Sequence, residues 1–343
     1  MNLAILFGGI SYEHEISIVS AITLKKSLSK ENPLFIFLDS KNNFYLISPE
    51  NMVAVNFSNG DYKKEKKLEL TNSGFQHKTF FGKEMFNNLK VVNLIHGGQG
   101  EDGTIISLLE FYKIKAISPN REASVLSFNK GLTKIFAESV GVKTLSYQIF
   151  NINGKRKLNI IEFPIIVKPL SLGSSIGVSV VTKLSDLDYA FDTAFEFEDN
   201  LIVEPFIKDV KEFNVAGAFT DKLVISNIEE PQKGEILDFD TKYMDFSRGQ
   251  TLETIDISKD LEKQLFENFE KIYMPKFIGS LIRCDFFLIN DEVYLNEINS
   301  IPGSLANYLF TDFPNLLNSI EIPQPKTASV SYKYIDKIQR AKG

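Results

Sequence analysis

The chain has 343 residues, of which 43% are hydrophobic and 24% charged, a balance typical of a soluble globular protein. At about 150 residues per domain, this length predicts two or three domains. The formal net charge of -6 argues against a nonspecific nucleic-acid binder, which needs surplus Lys and Arg to displace counterions. The single cysteine, Cys284, excludes an internal disulfide and a multi-cysteine metal site.

The sequence also lacks the patterns of a membrane protein. The start, MNLAILFGGISYEHE, has five apolar residues in a row and acids soon after, which predicts neither a signal peptide nor an anchor. No run reaches the ~18 to 20 apolar residues that span a bilayer. We therefore expect a cytoplasmic protein with no membrane partner and no nucleic-acid partner.

The N-terminal third alternates strand and helix patterns. LAILF at 3–7 predicts a buried strand, and the GG pair after it leads into a helix from Tyr12 to Leu28 with Ser11 as its N-cap. Further strands are expected at 33–39, 45–49, 90–98 and 115–119, with a helix at 104–112. The polar residues 54–90 are interpreted as a surface hairpin or long loop. This alternation predicts a parallel sheet with helices on its faces.

The pattern changes after about residue 120. A helix starting near Ser124 leads into strands that we expect to be antiparallel, at 146–150, 164–168, 177–181 and 201–204. After Phe213 come more strands, a helix near 258–276 and two strands at 280–289 and 293–298. We therefore predict three lobes, comprising residues 1–120, 121–207 and 208–343.

The segment PIIVKPLSLGSSIGVSVV places Lys168 between an apolar run and a loop of small residues, 173–177, which we call the serine loop. Small residues let consecutive backbone N–H groups converge on an anion, and Lys168 adds a point charge. The segment is not a Walker A loop, because that motif needs G-x-x-x-x-G-K-[ST] followed by a helix, whereas a strand follows here. A phosphate cradle and an ordinary hairpin turn both stay open on these residues alone.

A second glycine motif, GQGEDG at 98–103, satisfies G-x-G-x-x-G after a strand and before a helix, as a dinucleotide fingerprint would. However, Glu101 and Asp102 place negative charge at the helix N-terminus, where a pyrophosphate would have to bind. We therefore discount an NAD-dependent oxidoreductase.

Two strands near the C-terminus form the most informative hairpin. Side chains alternate along a strand, so Arg283 and Asp285 share a face, as Glu297 and Asn299 do on the next strand. With a connection at 290–292, Asp285 lies opposite Glu297. Two carboxylates and an amide oxygen without histidine suit Mg2+ that shares nucleotide phosphates. The alternative is a salt-bridged hairpin on a sheet surface.

Seven segments, taken in chain order, carry motifs of one family. They are FGGISYEHEIS (7–17), HGGQGEDGT (96–104), SFNKGLTK (127–134), FPIIVKPLSLGSSIGVS (163–179), VEPFI (203–207), DTKY (240–243), and RCDFFL with YLNEINSIPG (283–288 and 294–303). Together they resemble the D-alanine:D-alanine ligases of the ATP-grasp superfamily over nearly the full chain. The resemblance implies an α/β fold in which a doubly wound parallel-sheet lobe precedes two mixed or antiparallel lobes that sandwich ATP.

The resemblance also implies nucleotide and metal ligands. The residues implied to bind ATP are Lys130 and Lys168 at the phosphates, Ser174 and Ser175 in the loop that closes over them, Glu204 to Ile207 along the adenine, Glu212 at the ribose and Lys242 at the γ-phosphate. The residues implied to bind Mg2+ or Mn2+, as two ions, are Asp285, Glu297 and Asn299.

Two D-alanine molecules are the implied substrates, joined through an acyl phosphate. The residues implied to act on them are Glu13, which receives the first ammonium group and is linked to Ser174 and Tyr243, His96 beside it, Arg283 and the N–H of Gly303 as oxyanion donors, and Tyr308 and Leu309 at the second molecule. Without the family, Glu13 is a first-turn glutamate that complements the helix dipole, and His96 is a strand-end histidine bonded to backbone.

The chain departs from the family pattern in two places. SLANYLF (304–310) stands where many members have a stretch rich in Thr and Ser, and residues 54–90 look like an addition that bears on a surface or dimer contact. A homodimer is implied by the family alone. Tyr243 favours D-alanine over D-lactate as the second substrate. The alternatives are a ligase of the same fold that uses D-lactate or D-serine, and a non-catalytic protein that binds a nucleotide or an amino acid.

Overall fold

The computed structural model describes residues 2–159, 162–231, 255–323 and 328–342. The strands in this part of the chain form sheets of eight, four and five strands. The α-helices within these described ranges are α1 (His14–Ser27), α2 (Ala54–Ser58), α3 (Thr104–Phe111), α4 (Arg121–Phe128), α5 (Lys130–Ser139), α6 (Leu187–Phe195), α7 (Lys259–Tyr273), α8 (Phe313–Ser319) and α9 (Ile335–Ala341). None of the helices described is long and apolar enough to cross a bilayer.

The N-terminal sheet has the strand order β6-β5-β4-β3-β2-β1-β7-β8. Its strands are β1 (Asn2–Gly8), β2 (Leu34–Leu38), β3 (Phe44–Ile47), β4 (Lys66–Thr71), β5 (Gly74–Thr79), β6 (Gly82–Asn87), β7 (Leu89–Asn93) and β8 (Lys115–Ile117). Strands β2, β1, β7 and β8 are parallel, as predicted. Parallel strands are buried on both faces, which explains the continuous apolar runs of β1 and β7.

Residues 54–90 are more regular than the sequence indicated. Strands β4, β5 and β6 lie within them and extend the sheet beyond β3 as an antiparallel meander. Leu68 and Phe75 of these strands pack into the core that also holds residues of β1 and β2. The expected surface hairpin is therefore present, with a third strand, and the long loop is not.

The central sheet is antiparallel, as predicted, with the order β10-β13-β11-β12. Its strands are β10 (Gln148–Asn151), β11 (Ile165–Pro169), β12 (Ser179–Val181) and β13 (Asn200–Pro205). One face packs on α6, where Phe191 and Ala194 meet the buried side chains of Ile165 and Val203. The other face carries Lys168 and Glu204, so this sheet supplies charged groups to a site from a rigid support.

The C-terminal sheet has the order β15-β14-β16-β17-β9. Its strands are β9 (Lys143–Thr144), β14 (Lys211–Phe219), β15 (Leu223–Ile225), β16 (Leu281–Ile289) and β17 (Glu292–Asn299). Helix α7 packs on it through a buried stripe that includes Leu265 and Phe269. Ser258 caps this helix by accepting a hydrogen bond from the Leu261 N–H, which explains its start.

Several elements pack outside the lobe that their position in the chain predicts. The short strand β9 pairs with β17, and Phe136 of α5 and Val142 lie in the core of the C-terminal sheet. Conversely, Leu317 of α8 packs in the core beneath the N-terminal sheet. The division at 120 and 207 stays a prediction, and this packing indicates that the lobes share segments across both boundaries.

Candidate functional site

Glu13 lies where β1 passes into α1, and only 8% of its surface is exposed. The Ser174 hydroxyl donates a hydrogen bond to Glu13 Oε1. A Cβ at Gly97 would fall 2.5 Å from Glu13 Oε2, and one at Gly173 would fall 3.1 Å from Oε1. The serine loop of the central lobe therefore closes onto a carboxylate of the N-terminal lobe, and the glycines on both sides make the approach possible.

The serine loop has an unusual backbone. Ser174 and Ser175 have φ angles of 55° and 58°, in the left-handed region that side chains other than glycine rarely adopt. Such strain costs on the order of 1 to 3 kcal/mol per residue and persists where the surroundings impose it, typically at functional sites. The contact between Ser174 and Glu13 is one such constraint.

The turn before α1 differs from the prediction. Ser11 was expected to be the N-cap, but Glu13 occupies that position and the structure gives it no side-chain capping bond. The Ser11 hydroxyl accepts from the Glu13 N–H at 3.1 Å and donates to the His96 carbonyl at 2.6 Å. Ser11 thus joins the two loops that follow β1 and β7, because their carboxyl ends meet at one edge of the sheet.

His96 is buried close enough to Glu13 to sense its charge. Its Nδ1 lies 2.8 Å from the Leu94 carbonyl and its Nε2 lies 3.4 Å from the Ser20 hydroxyl. Burial lowers the pKa of His96, although the Glu13 charge and the Leu94 carbonyl oppose this effect. His96 is therefore neutral at pH 7 and bonded to backbone, and its role beside the first substrate stays a prediction.

Glu101 joins this group, although the sequence reasoning assigned it no role in a site. Its carboxylate accepts from the Gly97 N–H at 2.9 Å and from the Ser300 hydroxyl at 2.8 Å. Burial and the nearby Glu13 charge raise the pKa of Glu101 to about 7. Glu101 connects the N-terminal lobe to the end of β17. A charged residue in a glycine-rich turn could have indicated a site role for Glu101, but the sequence analysis used it only to argue against NAD binding.

Three lysines and one glutamate form a second group. Glu204 pairs through one carboxylate oxygen with Lys168 and through the other with Lys134. Lys130 donates to the Leu172 carbonyl at 2.5 Å, at the entrance of the serine loop. Burial lowers the pKa of Lys130, while the Glu297 charge raises it.

Lys134 was missed by the sequence reasoning. It stands four residues after Lys130 on α5, so both ammonium groups lie on one face of the helix, and this spacing could have indicated it. A lysine on a helix usually lies at the protein surface. Here the side chain is 2% exposed, because its partner comes from a distant strand.

The hairpin of β16 and β17 holds the expected carboxylate. Arg283 donates from Nε and Nη2 to the two Asp285 oxygens, at 2.7 and 2.9 Å, and the Asn299 amide donates to Asp285 at 2.9 Å. Burial would lower the pKa of Arg283, but the paired Asp285 raises it above its ordinary value. Arg283 therefore carries a fixed charge whose remaining N–H groups are held in one orientation.

The turn of this hairpin is shorter than predicted, although the pairing is as expected. Asn290 and Asp291 alone form the connection, both with positive φ, and β17 begins at Glu292. A shift in the register after Asp285 then restores the pairing of Asp285 with Glu297. A two-residue turn and a bulge thus produce the arrangement that we derived from a three-residue connection.

Residues 303–309 form a turn beside the hairpin. Ser304, Leu305 and Ala306 have φ angles of 47°, 51° and 46°. The Tyr308 hydroxyl donates to Glu229 Oε2 at 2.8 Å. Burial raises the pKa of Tyr308, so this hydroxyl stays protonated.

Leu309 and Gly303, two of the predicted substrate residues, differ from each other in their surroundings. The Leu309 side chain is fully buried in the core beneath the N-terminal sheet, and its carbonyl accepts from Asn227. The structure therefore leaves only the backbone of Leu309 for contact with a substrate. A Cβ at Gly303 would meet nothing within 4 Å, so that backbone lies open on this side.

The other implied residues are distributed as follows. Ser175 lies in the serine loop, Ile207 follows β13, and Glu212 lies on β14 opposite Phe287. Ile207 and Glu212 are each partly exposed. Lys242 and Tyr243 lie outside the described residues.

Two family models match most of this chain. The family model "D-ala D-ala ligase N-terminus" matches residues 2–119, and "D-ala D-ala ligase C-terminus" matches residues 136–318. The chain belongs to the D-Ala–D-Ala ligase family.

Members of the ligase family match along the whole chain. The D-alanine--D-alanine ligase of Sulfurovum sp. is 53% identical over 345 residues, covering 100% of this chain and 99% of that protein. The enzyme of the same name from Wolinella succinogenes is 54% identical over 346 residues and is covered completely, as this chain is. The predicted membership of the D-alanine:D-alanine ligase family is thus confirmed.

Solved structures of the ligase family share the fold. A D-Alanine-D-Alanine Ligase from Helicobacter pylori aligns with a TM-score of 0.83 at 48% identity, over 93% of this chain and 97% of that one. The D-alanine-D-alanine ligase from Coxiella burnetii aligns with a TM-score of 0.75 at 24% identity, over 99% and 95%. The predicted α/β ATP-grasp fold is confirmed.

Membership of the ligase family implies ATP use and, typically, a divalent metal ion. Within the described residues, no group of three His, Cys, Asp or Glu side chains could hold a metal. Asp285 and Glu297 face each other, and Asn299 adds an amide oxygen. Two carboxylates and an amide fit Mg2+, because that ion usually keeps waters and nucleotide phosphates in its octahedral shell.

Proposed function

We propose that this chain ligates two D-alanine molecules to D-alanyl-D-alanine, with ATP converted to ADP and phosphate through an acyl phosphate, and so supplies a peptidoglycan precursor. The observation that carries this proposal is the full-length identity of 53 to 54% to proteins named D-alanine--D-alanine ligase. The groups that such a reaction needs are also present: a carboxylate for an ammonium group, lysines for phosphates and a fixed guanidinium.

In the first step, a carboxylate oxygen of one D-alanine attacks the γ-phosphorus, and the bond to the β–γ bridging oxygen breaks to release ADP. Glu13 receives the ammonium group of this molecule, because its buried carboxylate gains a counter-ion. Lys130 and Lys168 stabilise the charge on the phosphates. The serine loop, held by Ser174, excludes water that would otherwise hydrolyse the acyl phosphate.

In the second step, the amine of the other D-alanine attacks the acyl carbonyl, and the bond from carbon to the phosphate oxygen breaks. Arg283 and the Gly303 N–H stabilise the oxyanion that forms on that carbonyl. Tyr308, in the turn after β17, borders the second molecule. A Mg2+ ion bound by Asp285, Glu297 and Asn299 would neutralise phosphate charge and align the phosphates.

The test is phosphate release from MgATP with D-alanine, with L-alanine, and with D-alanine plus excess D-lactate or D-serine, with each product identified by mass. We expect release with the D-isomer alone and D-alanyl-D-alanine as the main product. A depsipeptide or a D-alanyl-D-serine product would keep the mechanism and replace the second substrate. Nucleotide binding without turnover would favour the non-catalytic alternative.

Glu13→Gln provides the residue-level test of this proposal. The amide keeps the size of the side chain but removes the charge that pairs with the ammonium group, so KM for the first D-alanine should rise at least about tenfold, as for a lost charge-assisted bond. KM for ATP should change little. Glu15→Gln, on the exposed part of the same helix turn, is the matched control. Equal effects on both KM values would contradict the role assigned to Glu13.

We also propose that the protein is a cytoplasmic homodimer. The dimer rests on the family alone. The location rests on the substrates of the proposed reaction, because ATP and free D-alanine are cytoplasmic metabolites. Light scattering at several concentrations would test the dimer, and fractionation of cells with antibody detection would test the location.

A further inference from the structure

Lys134 connects parts of the molecule that are distant in sequence. Its helix, α5, is anchored in the core of the C-terminal sheet through Phe136 and Ala137. The Lys134 side chain points away from that core and reaches Glu204 on β13 of the central sheet. It therefore crosses between the two lobes that would enclose a nucleotide.

The Lys134 ammonium group is held on several sides. It pairs with Glu204, lies 3.4 Å from the Leu145 carbonyl and lies 5.6 Å from the centre of the Tyr147 ring. Leu145 and Tyr147 belong to the connection between β9 and β10, where the chain passes from the C-terminal sheet to the central sheet. Only 2% of the side chain is exposed, so these contacts fix its position.

The charge of Lys134 affects the site through Glu204 and Lys168. Glu204 is buried and holds Lys168 with one oxygen and Lys134 with the other. Burial would raise the pKa of Glu204, but the two lysines lower it, so the group is anionic at neutral pH. With one lysine, the carboxylate would cancel the charge of Lys168. With two, the three side chains together have a net charge of +1.

We propose that Lys134 is a positioning residue of the nucleotide site, which neutralises Glu204 so that Lys168 keeps its attraction for phosphates, and which fixes α5 with Lys130 against the central sheet. This inference rests on the proposed function, in which ATP is the ligand of Lys130 and Lys168. Lys134 itself contacts Glu204 and need not touch the nucleotide.

The first test measures binding of MgADP by isothermal titration calorimetry to the wild type, Lys134→Met and Lys134→Arg. We expect Kd to rise about tenfold or more for Lys134→Met, because a buried carboxylate is left to compete for Lys168. Lys134→Arg should stay within about threefold, since it keeps the charge. Lys143→Met, which removes an exposed ion pair with Glu292 on β17, is the matched control and should leave Kd unchanged.

A double variant distinguishes the electrostatic role from packing. If Lys134 acts by neutralising Glu204, Lys134→Met should raise Kd for MgADP less in a Glu204→Gln background than in the wild type, because the carboxylate is already absent there. A purely structural role predicts the same rise in both backgrounds. The double variant also lacks the buried carboxylate that Lys134→Met leaves with one lysine, so it remains available if Lys134→Met does not fold.

Steady-state kinetics complete the test. Lys134→Met should raise KM for ATP while KM for D-alanine stays within about twofold of the wild type. Wild-type binding of MgADP with unchanged Kd in Lys134→Met would overturn this inference and leave the proposed function intact. Failure of the wild type to bind MgADP or to ligate D-alanine would instead overturn the proposed function.

Discussion

At the scale of single residues, Glu101 has the clearest dependence on pH. Its pKa is raised from 4.5 to about 7 by burial and by Glu13, so the folded state binds its proton more tightly than the unfolded state. The resulting stabilisation is complete below about pH 4.5 and is lost as the pH rises through about 7. Glu101→Gln should therefore gain stability relative to the wild type over this range, by up to about 3 kcal/mol. Urea unfolding of both proteins at several pH values measures this, and parallel profiles would contradict it.

At the scale of elements, the Lys90 side chain of β7 caps the C-terminal end of helix α8. Its ammonium group donates to the carbonyls of Leu317, Asn318 and Ile320 at 3.2, 2.7 and 3.1 Å, although β7 and α8 are distant in sequence. Lys90→Met leaves these carbonyls without their donor, so we expect a loss of about 1 to 3 kcal/mol in the free energy of unfolding. Lys115→Met, on the exposed side of β8, should change it by less than about 0.5 kcal/mol. Similar losses in both variants would show that the cap is not the cause.

At the scale of the whole molecule, the candidate site draws its residues from segments attached to three different sheets. Glu13 comes from the N-terminal lobe, Ser174 from the central lobe and Arg283 from the C-terminal sheet. Ser174→Ala removes the hydroxyl that ties the serine loop to Glu13, so hydrogen exchange at 173–177 should speed up several-fold while global stability changes little. Exchange followed by mass spectrometry measures this, with Ser171→Ala as the control. Unchanged exchange in Ser174→Ala would mean that other contacts hold the loop closed.

The predictions from sequence succeeded where a local pattern was sufficient. The apolar run of β1 and the alternation along β16 follow from side-chain periodicity. The pairing of Asp285 with Glu297 is as expected only because a bulge offsets the difference in turn length. The turn of that hairpin was miscounted, because a bulge changes the register without a signal in composition. Strand β9 has two residues, too few for any periodicity to reveal, and forms only because β17 presents a free edge.

The sequence by itself determined the family and the parallel and antiparallel sheets, and it predicted most residues of the candidate site. The tertiary structure alone decided that Lys134 is buried, that Glu101 bridges two lobes, and that Leu309 faces the core. The physical reason is that periodicity records how a residue relates to its near neighbours. A buried charge is stable only when a partner arrives from elsewhere in the chain, and the fold determines which partner that is.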